Sequence, residues 1–261
     1  MNRLARNLTT WKAWYALLAL LAFIIGSQAV LISPPLSFIA FAFLALLFLA
    51  LASRRWPTRH DLGMTRGLSG RDIAVVLAVF AVTHAAFWLL GRIDGGSQGE
   101  QAVKVFTDLQ LGGPLLPAVA VVVASVILAP ICEEILYRGA ILRPIHDAIA
   151  RRGRVWLGAV VGIGVSAVLF VMPHLADASL NVMTIGYLLT GIGFGLVYVL
   201  TGSLTAAMVA HSLQSMVAFG QVLVFGRGDA DVHPLLWVLV FGCPLWVWLG
   251  SQLVRVLLPR G

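Results

Sequence analysis

The sequence predicts an all-α fold, a polytopic bundle of about eight transmembrane helices. Hydrophobic residues make up 60% of the 261 residues and charged residues only 11%, and the mean hydropathy is +0.95. These values lie well outside the range of soluble globular domains. The apolar residues are grouped in runs of about 20, the length that crosses the hydrocarbon core of a bilayer. We therefore predict a multi-pass integral membrane protein.

Apolar segments bounded by proline, glycine or charged residues define the predicted spans. The first follows a basic start, as a signal peptide does, but it runs on through Ile32 and is long enough to be a retained helix. Between the third and fourth spans, the stretch EQAVKVFTDLQL predicts an amphipathic helix on the membrane surface. We expect residues 1–261 to form a single membrane domain, with spans near 13–32, 37–52, 72–91, 115–136, 156–174, 182–200, 203–220 and 234–257.

The distribution of lysine and arginine predicts the orientation. With a cytoplasmic N-terminus and eight spans, all these residues except Arg92, Lys104 and Arg227 lie on the inner side, as the positive-inside rule requires. Both termini are therefore expected in the cytoplasm, in a setting typical of bacterial inner membranes. The net charge of +7 does not indicate a nucleic-acid partner, because the basic residues lie in short segments between apolar runs without a continuous basic face. Both cysteines, Cys132 and Cys243, fall inside apolar spans, so no disulfide is expected.

Ionisable side chains inside the predicted spans are candidate functional groups, because each costs roughly 2.5–3.5 kcal/mol to insert. Glu134 and Arg138 are four residues apart, which places them on one helix face as an ion pair. Glu133 points about 100° away and has Tyr137, not a cation, as its neighbour one turn on. An acid without a counter-ion is suited to exchange protons with a water molecule. The alternative is that both acids are simply hydrated at the inner interface, beside Arg138 and Arg143.

Two histidines accompany these acids on later spans. His174 follows Phe170 in an F-x-x-x-H arrangement at the end of the fifth span. His211 lies within the seventh span, with Gln214 and Ser215 about one turn further on. Each also has a structural interpretation. A histidine at a helix end needs no function, and a histidine within a span can form an interhelical hydrogen bond.

Glu133, His174 and His211 come from three different helices. If the fold brings them together, they could perform acid–base chemistry on a water molecule. They could also bind zinc, since one carboxylate and two imidazoles form an acceptable ligand set. The H-E-x-x-H motif of zinc proteases is absent, so zinc depends on composition alone and no cofactor is favoured. His84, in the third span, is expected to be structural.

The order of these motifs resembles the CPBP family of intramembrane proteases. This family includes the CAAX prenyl endopeptidases and bacterial bacteriocin-processing and self-immunity proteins. The resemblance covers about residues 115–220, with E-E-x-x-x-R-G at Glu133–Gly139, then F-x-x-x-H, then the later histidine. It implies an endopeptidase in which Glu133 is the general base, His174 assists it and His211 stabilises the oxyanion. The implied substrate is a membrane-associated or lipidated peptide.

The resemblance also implies that Glu134 and Arg138 position their helix. One position departs from the family pattern, because the residue four after the last histidine is typically Asn and is Ser215 here. Either Ser215 serves through a closer approach, Gln214 substitutes for it, or the oxyanion hole is weaker. The family has been described both with and without a catalytic metal, and the metal-free form is favoured here.

Two other functions use the same polar residues. The chain could be a proton-coupled transporter in which they relay protons, although it lacks the paired halves that such transporters often show. It could also be a catalytically inactive membrane scaffold, because Ser215 replaces the family's asparagine.

The predicted span boundaries place Glu133 and His174 near opposite faces of the membrane, at 1.5 Å per residue. At least one boundary must therefore be wrong. We expect the fourth helix to continue past Arg138 through AILRPIHDAI, and the fifth to begin at Arg154 or earlier. Both changes would bring the two side chains towards His211.

Overall fold

A computed structural model of the chain describes residues 2–93, 98–174, 182–226 and 232–260. Within these ranges the secondary structure is helical, without a strand, which confirms the predicted all-α class. Arg227, predicted on the outer side, lies outside the described residues. The principal helices are α1 (Tyr15–Leu31), α2 (Pro34–Ser53), α3 (Gly70–Ile93), α4 (Gln98–Asp108), α5 (Leu115–Ala150), α6 (Val155–His174), α7 (Val182–Thr201), α8 (Leu204–Phe225), α9 (Pro234–Phe241) and α10 (Cys243–Leu257).

The helices match the positions of the predicted spans. Within the described ranges, six helices are long and apolar enough to cross a membrane, or seven if α9 and α10 form one span bent by 63°. Pro244 lies in the first turn of α10, and a proline at such a break cannot continue the hydrogen bonding of the preceding helix. α1 occupies the place of the first predicted span as a shorter apolar helix. The count of eight crossings stays a prediction.

One end of the bundle, here called the basic end, contains the segments 2–12, 54–69, 143–154, 199–204 and 258–260. Backbone hydrogen bonds join these segments from Arg3 to Val199 at 3.0 Å, from Leu204 to Gly63 at 3.1 Å and from Arg59 to Pro259 at 3.3 Å. The first and last described segments therefore meet at the same end, as an even number of crossings requires. The cytoplasmic placement of this end stays a prediction.

The segment 2–12 is held against α5 by buried polar groups. A carboxylate oxygen of Asp147 accepts hydrogen bonds from the backbone N–H and the hydroxyl of Thr9, at 2.7 and 2.9 Å. Arg143 donates to Asp147 at 2.7 Å and also to the backbone carbonyl of Asn7. Because Arg143 and Asp147 are almost fully buried, losing either partner would leave an uncompensated charge.

α5 is the longest helix and carries the acidic motif. Its 36 residues span about 54 Å at 1.5 Å per residue, well beyond the roughly 30 Å of a bilayer's hydrocarbon core. Its two π-helical segments, Ala124–Leu128 and Ile135–Leu142, have a common cause. Pro130 and Pro144 cannot donate to the carbonyl four residues earlier, which in both cases lies inside a π segment. Such segments change which side chains share a face and are common at functional sites.

α5 and α6 form a tight antiparallel pair because α6 presents two glycines to α5. A Cβ on Gly158 would lie 2.7 Å from the His146 carbonyl oxygen, and one on Gly162 would lie 3.2 Å from the Leu142 carbonyl oxygen. Small residues four apart allow such close approach of helix backbones in membranes. This contact fixes the height of α6 relative to α5.

The predicted amphipathic helix between the third and fourth spans is confirmed as α4. Its buried residues Ala102 and Phe106 face the end of α8, and Phe106 packs in a cluster with Leu223. Part of the apolar side of α4 is thus covered by protein, whereas Val103 and Val105 are 47% and 40% exposed, and the contact of this helix with the membrane stays a prediction.

A capped turn outside the spans gives a testable stability effect. Asp61 accepts two hydrogen bonds from the Arg55 guanidinium, at 2.5 and 2.8 Å, and forms a capping box with Thr58. Burial raises the pKa of Asp61, but the hydrogen bonds from Arg55 and Thr58 outweigh burial and hold this pKa below its ordinary value. The stabilisation is therefore complete above about pH 4 and is lost as the pH falls through the lowered pKa.

We expect Asp61→Asn to lower the free energy of unfolding by about 1 kcal/mol at pH 7, the usual cost of a lost cap. The difference from wild type should shrink at pH 3. Chemical unfolding of the detergent-solubilised proteins at both pH values measures it. Asp108→Asn is the control, because it removes an exposed ion pair with Lys104 that contributes little. A pH-independent difference for Asp61→Asn would contradict the assignment.

Candidate active site

Glu134 and Arg138 form the ion pair that their spacing predicts. The guanidinium donates to the Glu134 carboxylate at 2.9 Å, and both side chains are fully buried. Its other amino group donates to the backbone carbonyl of Gly191 on α7, at 2.8 Å. The Arg138 Cζ also lies 5.1 Å from the Phe170 ring centroid and 5.3 Å from that of Phe194. Arg138 therefore ties α5 to α6 and α7.

His211 on α8 faces both acids of α5. Its Nδ1 lies 3.1 Å from Oε1 of Glu134, the oxygen that also accepts from Arg138. Its Nε2 lies 3.9 Å from Oε2 of Glu133. The imidazole stacks on Phe194, with the ring centroids 4.5 Å apart. Glu133, which has no cation one turn away on its own helix, thus faces an imidazole from α8.

These contacts determine how His211 presents its second nitrogen. A carboxylate only accepts hydrogen bonds, so Nδ1 of His211 must carry the proton in its contact with Glu134. Nε2 is then the nitrogen that faces Glu133, and it gains a proton only when the ring is doubly protonated. The carboxylate oxygens Oε2 of Glu133 and Glu134 are buried and accept no hydrogen bond from the described residues. The cluster therefore retains unused acceptors around the outward nitrogen of His211.

His174 lies on the other side of Phe170. The Phe170 ring centroid is 4.9 Å from that of His174 and 5.7 Å from that of His211. Nδ1 of His174 contacts the backbone carbonyl of Phe170 at 2.8 Å. A carbonyl only accepts, so Nδ1 carries the proton, and Nε2 is an acceptor in the neutral ring. Tyr187 on α7 flanks the imidazole, with the centroids 4.5 Å apart.

The lengths of α5 and α6 bring Glu133 and His174 to a similar level along the helix axes. The predicted end of the fourth helix at residue 136 is wrong. α5 continues to Ala150 and α6 begins at Val155, close to the extension expected from the sequence. Measured from the turn between them, Glu133 lies about 25 Å up α5 and His174 about 28 Å up α6, at 1.5 Å per residue. The conflict in the span arithmetic arose from ending the fourth helix near the acidic motif.

Residues 115–217 match a family described as type II CAAX prenyl endopeptidase Rce1-like. This part of the chain is similar to the Rce1-like family. The match covers all three motifs, from Glu133 to Ser215, and confirms the resemblance to CPBP intramembrane proteases. At the level of the family it indicates a CAAX-type intramembrane endopeptidase in a multi-pass membrane protein. No curated protein and no solved structure matched the chain.

The remaining predicted residues of the Rce1-like core lie on α8 and are half-buried. Gln214 and Ser215 follow His211 by three and four residues in an uninterrupted helix, so both project from the same side of α8 as the imidazole. His84 lies apart from this group on α3, where its ring packs on Phe80 and its Nδ1 contacts the Phe80 carbonyl at 3.1 Å. The structural interpretation of His84 is consistent with these local contacts.

The sequence did not single out the α7 residues that line the site. Tyr187, Gly191 and Phe194 recur at spacings of four and three, which places them on one helix face. That face contacts both histidines and Arg138. A Cβ on Gly191 would lie 3.1 Å from Cα of Ala167 on α6, so a larger residue would separate the two helices. The periodicity was visible in the sequence, but in an apolar span it is equally typical of lipid-facing packing.

Composition alone offers Glu133, His174 and His211 as ligands for a metal ion. No group of three His, Cys, Asp or Glu side chains in the described ranges is arranged to hold one. The metal-free form of the site stays a prediction.

Two cavities lie away from the cluster, towards the two ends of the bundle. One, of about 370 Å³, is lined by residues near the start of α5 and α9, including Leu111 and His233. The other, of about 520 Å³, lies at the basic end beside Trp14. Neither is lined by Glu133. The Glu133 side chain is itself 12% exposed, so the cluster has a limited opening of its own.

Proposed function

We propose that this chain is an intramembrane endopeptidase that hydrolyses a peptide bond of a membrane-associated or lipidated peptide, using water activated by Glu133. The observation that supports the proposal most strongly is the placement of Glu133, 3.9 Å from Nε2 of His211, inside a region that matches the Rce1-like family. The Glu133 oxygen facing that nitrogen accepts no hydrogen bond from the described residues. A water molecule held there would contact both the base and the imidazole.

In the proposed reaction, Glu133 takes a proton from the water molecule as the water oxygen attacks the peptide carbonyl carbon. Negative charge moves to the carbonyl oxygen, where Nε2–H of doubly protonated His211 donates a hydrogen bond. Collapse of the tetrahedral intermediate breaks the C–N bond, and the proton held by Glu133 passes to the leaving amine. His174 assists in the role that the family resemblance implies, and its Nε2 is an acceptor in the neutral ring. Such preorganised donors and acceptors account for a large share of enzymatic rate enhancement.

Glu134 acts in this proposal as a positioning residue. Its contact with Nδ1 of His211, at 3.1 Å, fixes the ring orientation so that Nε2 faces Glu133. Arg138 in turn fixes the Glu134 carboxylate. The arrangement follows the general logic of a carboxylate that orients a catalytic imidazole.

A membrane substrate is supported by the depth of the site. Glu133 lies about 25 Å from the end of α5, among helices whose outward faces carry large apolar side chains, such as Val82 on α3 and Val168 on α6, both more than half exposed. A peptide that reaches this level must itself enter the apolar phase. A lipid chain or a hydrophobic segment provides the required affinity, at about 0.8 kcal/mol for each buried CH₂.

Reconstitution in vesicles with a fluorogenic membrane-anchored peptide tests the function. We expect cleavage by the wild-type protein and no proton flux coupled to a solute gradient. Proton flux without cleavage would instead support the transporter, and peptide binding without cleavage the scaffold. Matched peptides with and without a prenyl group separate the lipidated substrates from plain hydrophobic segments.

We expect His211→Gln to lower kcat by about 10²–10³, the usual effect of losing one oxyanion donor. The peptide KM should change little, because the donor acts on charge that develops in the transition state. His84→Gln is the matched control, a histidine to glutamine change in another apolar helix outside the cluster, and should leave kcat unchanged. Equal losses in both variants would assign the effect to folding rather than to catalysis.

A further inference from the structure

A cavity of about 520 Å³ at the basic end combines positive charge with an exposed indole. It lies between the segment 2–12, the start of α1 and the end of α5. Its lining includes the cations Lys12, Arg151 and Arg152 together with Trp14, Ala148 and Ile149, and no carboxylate. Its volume is in the range of cavities that bind small ligands or headgroups, roughly 300–1,000 Å³.

The walls of this cavity are fixed by hydrogen bonds. Arg151 donates to the backbone carbonyl of Thr9 and, at 2.7 Å, to that of Trp11. Trp11 is only 1% exposed, so it anchors the chain immediately before Lys12. The nearby acid, Asp147, is fully buried and already binds Arg143 and Thr9. These hydrogen bonds fix the walls of the cavity without involving the side chains of Lys12 and Arg152.

Two of those charges remain available to a ligand. Lys12 and Arg152 are exposed, and neither side chain forms a hydrogen bond or ion pair with another residue in the described part of the chain. Their charges reinforce each other at one opening. An anionic ligand with several acceptor oxygens matches this pair, because the guanidinium binds such groups in a bidentate way.

The position of the cavity relative to the membrane indicates where the ligand comes from. Trp14 is 48% exposed and directly precedes Tyr15, where the apolar helix α1 begins. Tryptophan at the start of an apolar helix is typical of the headgroup level of a membrane. Basic pockets between helices at this level are suited to phospholipid headgroups. The opening thus faces a layer in which phosphate groups are abundant.

We propose that this cavity binds the phosphate group of an anionic phospholipid of the adjacent leaflet. Lys12 and Arg152 pair with the phosphate oxygens, and Trp14 lies against the glycerol backbone of the lipid. The bound lipid thus bridges Lys12 of the segment 2–12 and Arg152 at the end of α5. Arg151 already joins the same two parts of the chain through its hydrogen bonds to Thr9 and Trp11. This proposal does not depend on the peptidase assignment.

Native mass spectrometry of the detergent-purified protein with phosphatidylglycerol tests the site. We expect Lys12→Gln/Arg152→Gln to weaken binding about 30-fold, since each cation near a membrane surface contributes roughly a fivefold step. Arg71→Gln/Arg260→Gln removes the same charge from other exposed positions at this end and should retain the wild-type affinity. Equal weakening in both variants would overturn the proposal in favour of a diffuse electrostatic attraction.

Competition separates the two sources of phosphate. We expect phosphatidylcholine to bind more weakly than phosphatidylglycerol, and inorganic phosphate not to displace the bound lipid. Displacement by inorganic phosphate at comparable concentration would show a free-anion site and overturn the lipid assignment. Circular dichroism of both double variants checks that the helices are intact, so a loss of binding reports on the cavity itself.

Discussion

Replacement of Glu133 by glutamine should lower the rate of peptide cleavage by about 10⁴, the upper range for loss of a general base. Glutamine has nearly the same shape but cannot accept the proton of the attacking water. The neighbouring pair of Glu134 and Arg138 is untouched, so we expect the unfolding midpoint to stay close to that of wild type. Single-turnover cleavage of the reconstituted fluorogenic peptide measures the effect on the chemical step.

Two matched variants sharpen this test. Glu133→Asp retains the carboxylate on a shorter arm and should recover part of the activity, whereas a purely structural role would give no such recovery. Glu100→Gln makes the same chemical change at an exposed position on α4 and should have no effect. Cleavage by Glu133→Gln at more than a tenth of the wild-type rate would exclude Glu133 as the base.

The second large effect concerns stability. We expect Arg138→Met to lower the free energy of unfolding by about 3–5 kcal/mol, because it leaves the fully buried Glu134 carboxylate without its guanidinium. The Gly191 carbonyl loses its side-chain donor in the same variant. Chemical unfolding in mixed micelles, followed by circular dichroism, measures the difference.

A double variant separates the buried charge from the lost packing. Glu134→Gln/Arg138→Met removes both charges, so it should be more stable than Arg138→Met alone, and the two substitutions should be clearly non-additive. If Arg138→Met costs less than about 1 kcal/mol, the pair is solvated in the membrane protein and the buried site described above is wrong.

The helical spans could be predicted because the bilayer imposes a length and a composition on each of them. The end of α5 followed from a different argument, because hydropathy alone ended the fourth helix near residue 136 and only the relative heights of Glu133 and His174 required its extension. Hydropathy falls at Arg138, yet the helix runs on to Ala150. The charges that appear to end it, Arg143 and Asp147, are buried against the segment 2–12 through Thr9 and Asn7. No local sequence pattern near residue 143 could indicate that these charges pair with residues as distant in the chain as Asn7 and Thr9.

In the candidate site, too, contacts within one helix could be predicted from the sequence and contacts between helices could not. The pair of Glu134 and Arg138 followed from helix periodicity, because both residues lie on one helix and their geometry is local. The contact between His211 and Glu134 joins two helices, and it depends on how α5 and α8 pack. For Glu133, spacing correctly indicated the lack of a cation on its own helix, but it could not show that an imidazole from α8 faces the same carboxylate.

The aromatic surround of the histidines was not predictable for a different reason. Phe194 and Tyr187 lie in an apolar span whose composition alone gives no functional signal. Their roles appear only once Arg138 and the two imidazoles are placed against α7. Periodicity identifies a face of α7, but what covers that face depends on the depth of α6, which the glycine contacts Gly158 and Gly162 determine.

The attachment of the segment 2–12 has a consequence for how the protein is made. Its partners include Arg143, Asp147 and Val199, so this segment cannot complete its contacts until α7 has been synthesised. Throughout that interval Arg143 and Asp147 lack part of their binding partners. Assembly of the basic end is therefore a docking event between segments that are synthesised far apart in time.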